Sequence, residues 1–341
     1  MPASGPDPVR IGMISFAHMH AWGYAQALRR LPEAELAGLW DADAARAQRM
    51  AEALGSPGQP VRIYGSLEAL LDDDLQAVVV CTENALHKDA VIAAARADKH
   101  VLCEKPLATT LADAREMVDA CLAGGVQLMT SFPCRYAPAY QEARRLVRSG
   151  GLGEVLAIKG TNRGRNPGGW FVDPALSGGG SVMDHTVHVV DLMRDLTGDE
   201  VVEVYAETDT VFQPDLPCED TGLVTVEFRN GCIGTNDCSW SRPPHYPIWG
   251  DVTLCVVGTG GNAWVDLVIE HVWVWRQGDR SVAWEMYGES LDLLLMRDFV
   301  GCVATGQTVP ITGEDGARAL EVALAAYRSA ETATPVRLPL A

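Results

Sequence analysis

Two stretches of this chain bring together residue types that can move protons or hold ions. Asp184 and His188 stand four residues apart in Met183 to Leu196, a stretch whose pattern predicts a helix. That spacing puts both side chains on one helical face. An imidazole there can take a proton near neutrality, and a neighbouring carboxylate can orient the ring or hold a substrate. The competing reading is a satisfied core histidine on the apolar face Val187-Val189-Val190. The other stretch is His18-Met19-His20. An H-x-H at the end of a first strand opens the metal site of some hydrolases. A metal-dependent hydrolase using His18 and His20 is therefore one alternative, and loop histidines near a phosphate are the favoured one. The nine cysteines are scattered without a C-x-x-C pair and give no zinc spacing, so no metal is expected.

Such groups need a scaffold. The first 130 residues alternate apolar runs with amphipathic ones. Strands are predicted at Val9–Ile14, Glu35–Trp40, Ala77–Cys81, His100–Cys103 and Val126–Met129, with helices at Tyr24–Leu31 and Ala44–Leu54. This alternation predicts an α/β Rossmann dinucleotide-binding domain over residues 1–130, a parallel sheet with helices on both faces and ligands at the carboxyl ends of its strands. Beyond about residue 150 the strands follow one another: Glu154–Thr161, Val201–Thr210, Gly222–Phe228, Cys232–Trp240, Val252–Val257, Asn262–Leu267 and Val272–Arg276. Asn230-Gly231 and Gly258 to Gly261 supply tight turns between them. Residues 131–341 thus read as an α+β domain with a large, mostly antiparallel open sheet, and a helix at about 314–329 packs back on the body.

The first βα turn tests the nucleotide reading. Ser15, Ala17 and His20 stand where G-x-G-x-x-G would place glycines. The first two are small enough for a backbone to approach pyrophosphate, while His20 is a departure. Asp41 ends the second strand, where a carboxylate can accept from the adenosine ribose and repel a 2′-phosphate, which favours NAD over NADP. Asp41 could instead cap the helix starting near Ala44.

A net charge of −18 repels phosphate backbones and anionic lipid, so neither a nucleic acid nor a membrane is expected as partner. No apolar run reaches the roughly 20 residues of a membrane span, and Met1 to Pro8 has no secretory pattern. Reduced thiols in a cytoplasm are the simplest account of the cysteines. An exposed face of the second sheet would need cover, which predicts a homo-oligomer through the C-terminal sheet.

Three stretches taken in order give a more specific reading: Cys81-Thr82-Glu83-Asn84-Ala85-Leu86-His87, Glu104-Lys105-Pro106, and Gly178-Gly179-Gly180 followed by Asp184 and His188. With Arg135-Tyr136-Ala137-Pro138 and Pro310-Ile311-Thr312-Gly313, the chain resembles the Gfo/Idh/MocA oxidoreductases, a family of inositol and sugar dehydrogenases, from about Val9 to its end. The resemblance implies hydride transfer between NAD(H) and a secondary alcohol or ketone of a sugar, polyol or cyclitol. It implies Lys105, Asp184 and His188 as the catalytic group, with Lys105 by the nicotinamide and the reacting carbinol. Phe16, Ala17, His18, Met19, Asp41, Thr82, Asn84, His87 and Glu104, with Lys105, would line the cofactor. Trp170 could wall a sugar ring beside Lys105, Asp184 and His188. The chemistry suits these types, because hydride leaves a carbinol carbon only as its hydroxyl proton is removed, and a nearby ammonium favours the alkoxide. Glu83 departs from the proline that family members carry after the threonine. The missing glycines keep open a non-catalytic, dinucleotide-sensing protein on the same fold.

Overall fold

In the computed structural model, which describes residues 7–340 except 57, 59, 268–270, 275–282 and 287, the short β-branched runs become strands wherever both faces can be covered. β1 (Val9–Ile14), α1 (Ala21–Arg30), β2 (Ala34–Trp40), α2 (Ala44–Leu54), α3 (Leu67–Leu71), β3 (Ala77–Val80), α4 (His87–Arg96), β4 (His100–Cys103), α5 (Leu111–Ala123) and β5 (Leu128–Thr130) follow in order. The five strands form one parallel sheet, ordered β2-β1-β3-β4-β5. All four residues of β3 are buried, as its uninterrupted valines require in a sheet covered on both sides. Helix α1 buries Ala21, Tyr24, Ala25 and Leu28, one stripe at helical spacing. Ser66 and Thr110 cap α3 and α5 with their hydroxyls.

Two compact units result. Met1–Pro133 with Ser290–Ala317 forms the first, and Cys134–Glu289 with Arg318–Ala341 the second. The second contains α6 (Pro138–Arg148), β6 (Val155–Gly164), α7 (Pro174–Ser177), α8 (Ser181–Thr197), β7 (Val201–Asp209), β8 (Thr221–Phe228), β9 (Ile233–Ser239), β10 (Gly250–Gly258), β11 (Gly261–Asp266) and the hairpin β12 (His271–Val274) with β13 (Ala283–Met286). The expected strand over Val272–Arg276 runs into residues outside those described. Helix α9 (Leu291–Thr305) belongs to the first unit and packs on α1 and β1. Its apolar stretch has no local N-cap bond, so only its tertiary partners reveal it. Helix α10 (Gly313–Thr332) and the short β14 (Val336–Arg337) complete the chain.

The second unit's sheet is ordered β11-β10-β6-β9-β8-β7-β14. Only β6 and β9 pair in parallel. One face lies against α8, which is buried from Ser181 to Arg194 and packs on β6, β8 and β9. The register aligns Trp264, Cys255, Lys159, Thr235, Thr225 and Tyr205 across the other face. Trp264 there is 69% exposed and Leu223 65%.

Candidate active site

In the first unit the βα turn keeps its form without its glycines. Ser15 adopts φ +69°, the left-handed conformation that the first glycine would supply. Its strain is held by Asp41. The Asp41 carboxylate accepts from the Phe16 N–H at 2.7 Å, the Ser15 hydroxyl at 3.1 Å and the Asp43 N–H at 2.9 Å. Arg46 donates to it through Nε and Nη2 at 2.7 and 2.8 Å. Asp43, not Asp41, caps α2 through the Ala45 and Arg46 N–H groups, so the helix-cap reading of Asp41 gives way to a clip across the turn. Ala17 donates its N–H to the Ser15 hydroxyl, and the His18 N–H reaches the Cys81 carbonyl at the end of β3. Phe16 and His18 are buried, and Met19 is exposed.

The ends of β3 and β4 bring further expected residues close. Thr82 is buried, and its hydroxyl oxygen has no hydrogen-bond partner among the described residues. A buried orphan at the carboxyl end of a Rossmann strand calls for a ligand group, and with the Ser15 turn it fits this unit to a dinucleotide. Asn84 is buried beside it in sequence. Glu83, the departure from proline, turns towards Arg46, 3.9 Å away. His87 is fully buried, its ring nitrogens facing the carbonyls of Thr82, Pro106 and Leu107 at 3.1 to 3.2 Å. These contacts brace the loop that carries Thr82 and Asn84.

Glu104 and Lys105 follow β4, both almost wholly buried. One Glu104 oxygen accepts the Lys105 N–H at 3.0 Å, and the other lies 3.2 Å from His20 Nδ1 and 3.6 Å from His18 Nδ1. Burial alone would push the Glu104 carboxyl up. The His18 and His20 rings, with Lys105, instead hold it far below the usual glutamate range. Burial likewise opposes charge on His20, and Glu104 overcomes it to raise the His20 pKa. Asp292 of α9 stands behind His20, raised by burial and by Glu104, in a place where any Cβ at Gly23 would overlap its carboxylate.

In the second unit α8 presents Asp184 and His188 in successive turns, as the four-residue spacing predicts. Both are more than nine-tenths buried. The Asp184 carboxylate accepts from Trp240 Nε1 at 3.2 Å and faces His185 Nε2 at 3.2 Å. His188 Nδ1 lies 4.0 Å from Cys134 Sγ. One turn further along α8, Asp191 takes Arg135 in a two-pronged pair at 2.6 and 2.7 Å, which anchors the Arg135-Tyr136-Ala137-Pro138 segment. Trp170 stacks on Phe171, ring centres 3.9 Å apart, after the positive-φ pair Gly168 and Gly169.

What holds α8 in place escaped the sequence reading. Its N-cap, Gly180, offers no side chain. Glu219, 38 residues beyond the helix start, supplies the cap instead, accepting the Gly180 and Val182 N–H groups at 3.0 and 2.9 Å and the Tyr327 hydroxyl at 2.8 Å. The Tyr327 oxygen in turn accepts the Met183 N–H at 3.0 Å. A Cβ on Gly180 would overlap the Glu219 carbonyl oxygen, which explains the last glycine of the triplet. Trp240, Glu219 and Tyr327 carry no local motif.

Comparison with known proteins supplies the family. Residues 9–132 match an oxidoreductase family model with an NAD-binding Rossmann fold, and residues 140–264 match the GFO/IDH/MocA C-terminal domain. The myo-inositol 2-dehydrogenase of Thermotoga maritima is 30% identical over 97% of this chain and 98% of its own length. The chain belongs to the Gfo/Idh/MocA oxidoreductase family. The D-apiose dehydrogenase of Paraburkholderia graminis is likewise 30% identical, over 96% of the chain and 88% of that protein. Among solved structures, GenD2 from gentamicin A biosynthesis, in complex with NAD, superposes with a TM-score of 0.88 at 26% identity, covering 99% of this chain and 98% of that one. As a family member the chain is an NAD-linked oxidoreductase. Neither the dinucleotide-sensing reading nor the metal-dependent hydrolase finds support among these matches.

Proposed function

We propose that the chain oxidises or reduces a secondary alcohol or ketone of a sugar, polyol or cyclitol, with Lys105, Asp184 and His188 serving one carbinol group. The observation that carries this is the pairing on α8: a histidine one turn from a carboxylate that Trp240 and His185 hold in place. NAD, when bound, accepts or returns the hydride. His188 takes the hydroxyl proton, Asp184 holds the substrate and the ring in register, and the Lys105 ammonium stabilises the alkoxide. The match to an NAD-binding Rossmann family and the likeness to a structure in complex with NAD support NAD as the cofactor. The relatives' names, myo-inositol 2-dehydrogenase and D-apiose dehydrogenase, support the substrate class. A panel of inositols and aldoses with NAD, followed by the absorbance of reduced nicotinamide, tests the reading. Turnover on at least one is expected, falling about 100-fold or more in Lys105→Ala. Full turnover by that variant on a true substrate refutes the assignment.

The exposed Trp264, Leu223 and Ile233 on the open sheet face support a homo-oligomer formed through that face. Light scattering after size-exclusion chromatography should give more than one chain per particle, reduced to one by Leu223→Glu. Nine free cysteines, eight of them buried, support a reducing, cytoplasmic setting. No described helix is long and apolar enough to cross a membrane.

A further inference from the structure

An H-x-H on the first βα turn is a weak metal signal by itself, but the fold adds a third donor from 84 residues away. His18, His20 and Glu104 each offer a ligand atom, all within 4.8 Å of one another. We propose that these three residues bind a divalent transition-metal ion of the zinc class.

The spacing is that of a preformed site. His20 Nδ1 and His18 Nδ1 lie 3.2 and 3.6 Å from the same Glu104 oxygen. A tetrahedral zinc ion with bonds of about 2.0–2.1 Å holds its ligand atoms roughly 3.3–3.4 Å apart. The two histidine–Glu104 spacings match this, and with all three ligand atoms within 4.8 Å a shift of the imidazoles towards each other seats an ion among them. The donor set selects its class: two imidazoles and one carboxylate suit zinc, cobalt, nickel or iron, whereas calcium and magnesium need more oxygens. Around the donors, the shell orients them. The Lys105 N–H occupies the second Glu104 oxygen and leaves the first turned to the histidines. The backbone N–H of His20 points at His18 Nδ1 from 3.3 Å, so that nitrogen carries a lone pair, as a ligand must, and an ion would replace this long hydrogen bond and the one between His20 Nδ1 and Glu104. Behind His20, Asp292 sits against Gly23 and adds negative potential that favours a cation. Three protein ligands leave an open position for water or a phosphate oxygen. The site differs from a hydrolase centre in lying on the dinucleotide turn itself, so occupancy there would be linked to cofactor binding.

Cobalt is the probe. Chelator-treated, full-length protein titrated with Co²⁺ should bind one ion per chain, with the visible absorption of tetrahedral cobalt and no near-ultraviolet thiolate band. Affinity should fall at least about 100-fold in both His20→Ala and Glu104→Gln and stay unchanged in His245→Ala, a surface histidine outside the cluster. Circular dichroism identifies variants that fail to fold, and His20→Gln, closer in size, replaces His20→Ala if it does. Wild-type binding no tighter than that of the folded variants, or a thiolate band showing cysteine ligands, overturns the proposal.

Discussion

Removing the Glu219 carboxylate is the perturbation that most directly separates the scaffold of α8 from its chemistry. Glu219→Ala deprives the Gly180 and Val182 N–H groups and the Tyr327 hydroxyl of their shared acceptor. Losing a helix cap costs about 0.5–2 kcal/mol, and a buried hydroxyl left without its partner about 1–3 kcal/mol. Part of that is offset, because burial raises the Glu219 pKa and so makes its ionised form costly. A net loss of about 2 kcal/mol remains, some 30-fold in the folding equilibrium, or a fall in Tm of about 4–8 °C for a unit of this size. The pH dependence gives a sharper check. A carboxyl whose folded pKa is raised contributes stability that is fully present below its unfolded pKa and is lost as pH rises through the folded value. The Tm gap between wild type and Glu219→Ala should therefore narrow as pH rises from the ordinary value of 4.5 towards neutrality. Because the first turn of α8 carries Asp184, kcat should fall about tenfold while NADH affinity, read by fluorescence, stays the same. Differential scanning fluorimetry across pH and steady-state kinetics read both effects. A variant with wild-type Tm and kcat, or a gap that widens with pH, refutes the reasoning.

Asp41→Ala should weaken NADH binding at least about tenfold by fluorescence titration, because the Ser15, Phe16 and Arg46 contacts that shape the turn are lost together. Trp240→Phe deletes the N–H that fixes Asp184; a hydrogen bond to a charge is worth about 1.5–3 kcal/mol, so kcat/KM should drop about tenfold with NADH affinity unchanged. In metal-free protein, the Glu104–His20 pair should stabilise most between their ordinary values of 4.5 and 6.5. The depressed Glu104 loses its contribution as pH falls through its folded pKa, and the raised His20 loses its own as pH climbs through its folded value. The Tm difference between wild type and Glu104→Gln should accordingly peak in that window.

Periodicity alone made much of this molecule legible. The valine run of β3 reads as a strand inside a sheet covered on both faces, and α2 follows from the apolar spacing of Ala44 to Leu54, although its cap is Asp43 and not the Asp41 weighed from the sequence. The four-residue step from Asp184 to His188 fixes their shared helical face wherever the helix lies. Helix α9 was not legible, because its N-cap Ser290 makes no side-chain bond and the partners it packs on, α1 and β1, lie far away in sequence.

Local sequence therefore determined which residues could act, since side-chain type and short-range spacing are properties of the chain. Tertiary structure decided how they are held, because burial and charge pairing join residues far apart. Asp41 reads locally as either a cap or a ribose ligand, and only the approach of Ser15, Phe16 and Arg46 makes it a clip. His18 and His20 read as loop histidines until β4 delivers Glu104 between them. Gly180 reads as part of a tight turn until Glu219 and Tyr327 close over the N-terminus of α8, where a helix with no side-chain cap of its own must take its acceptor from elsewhere.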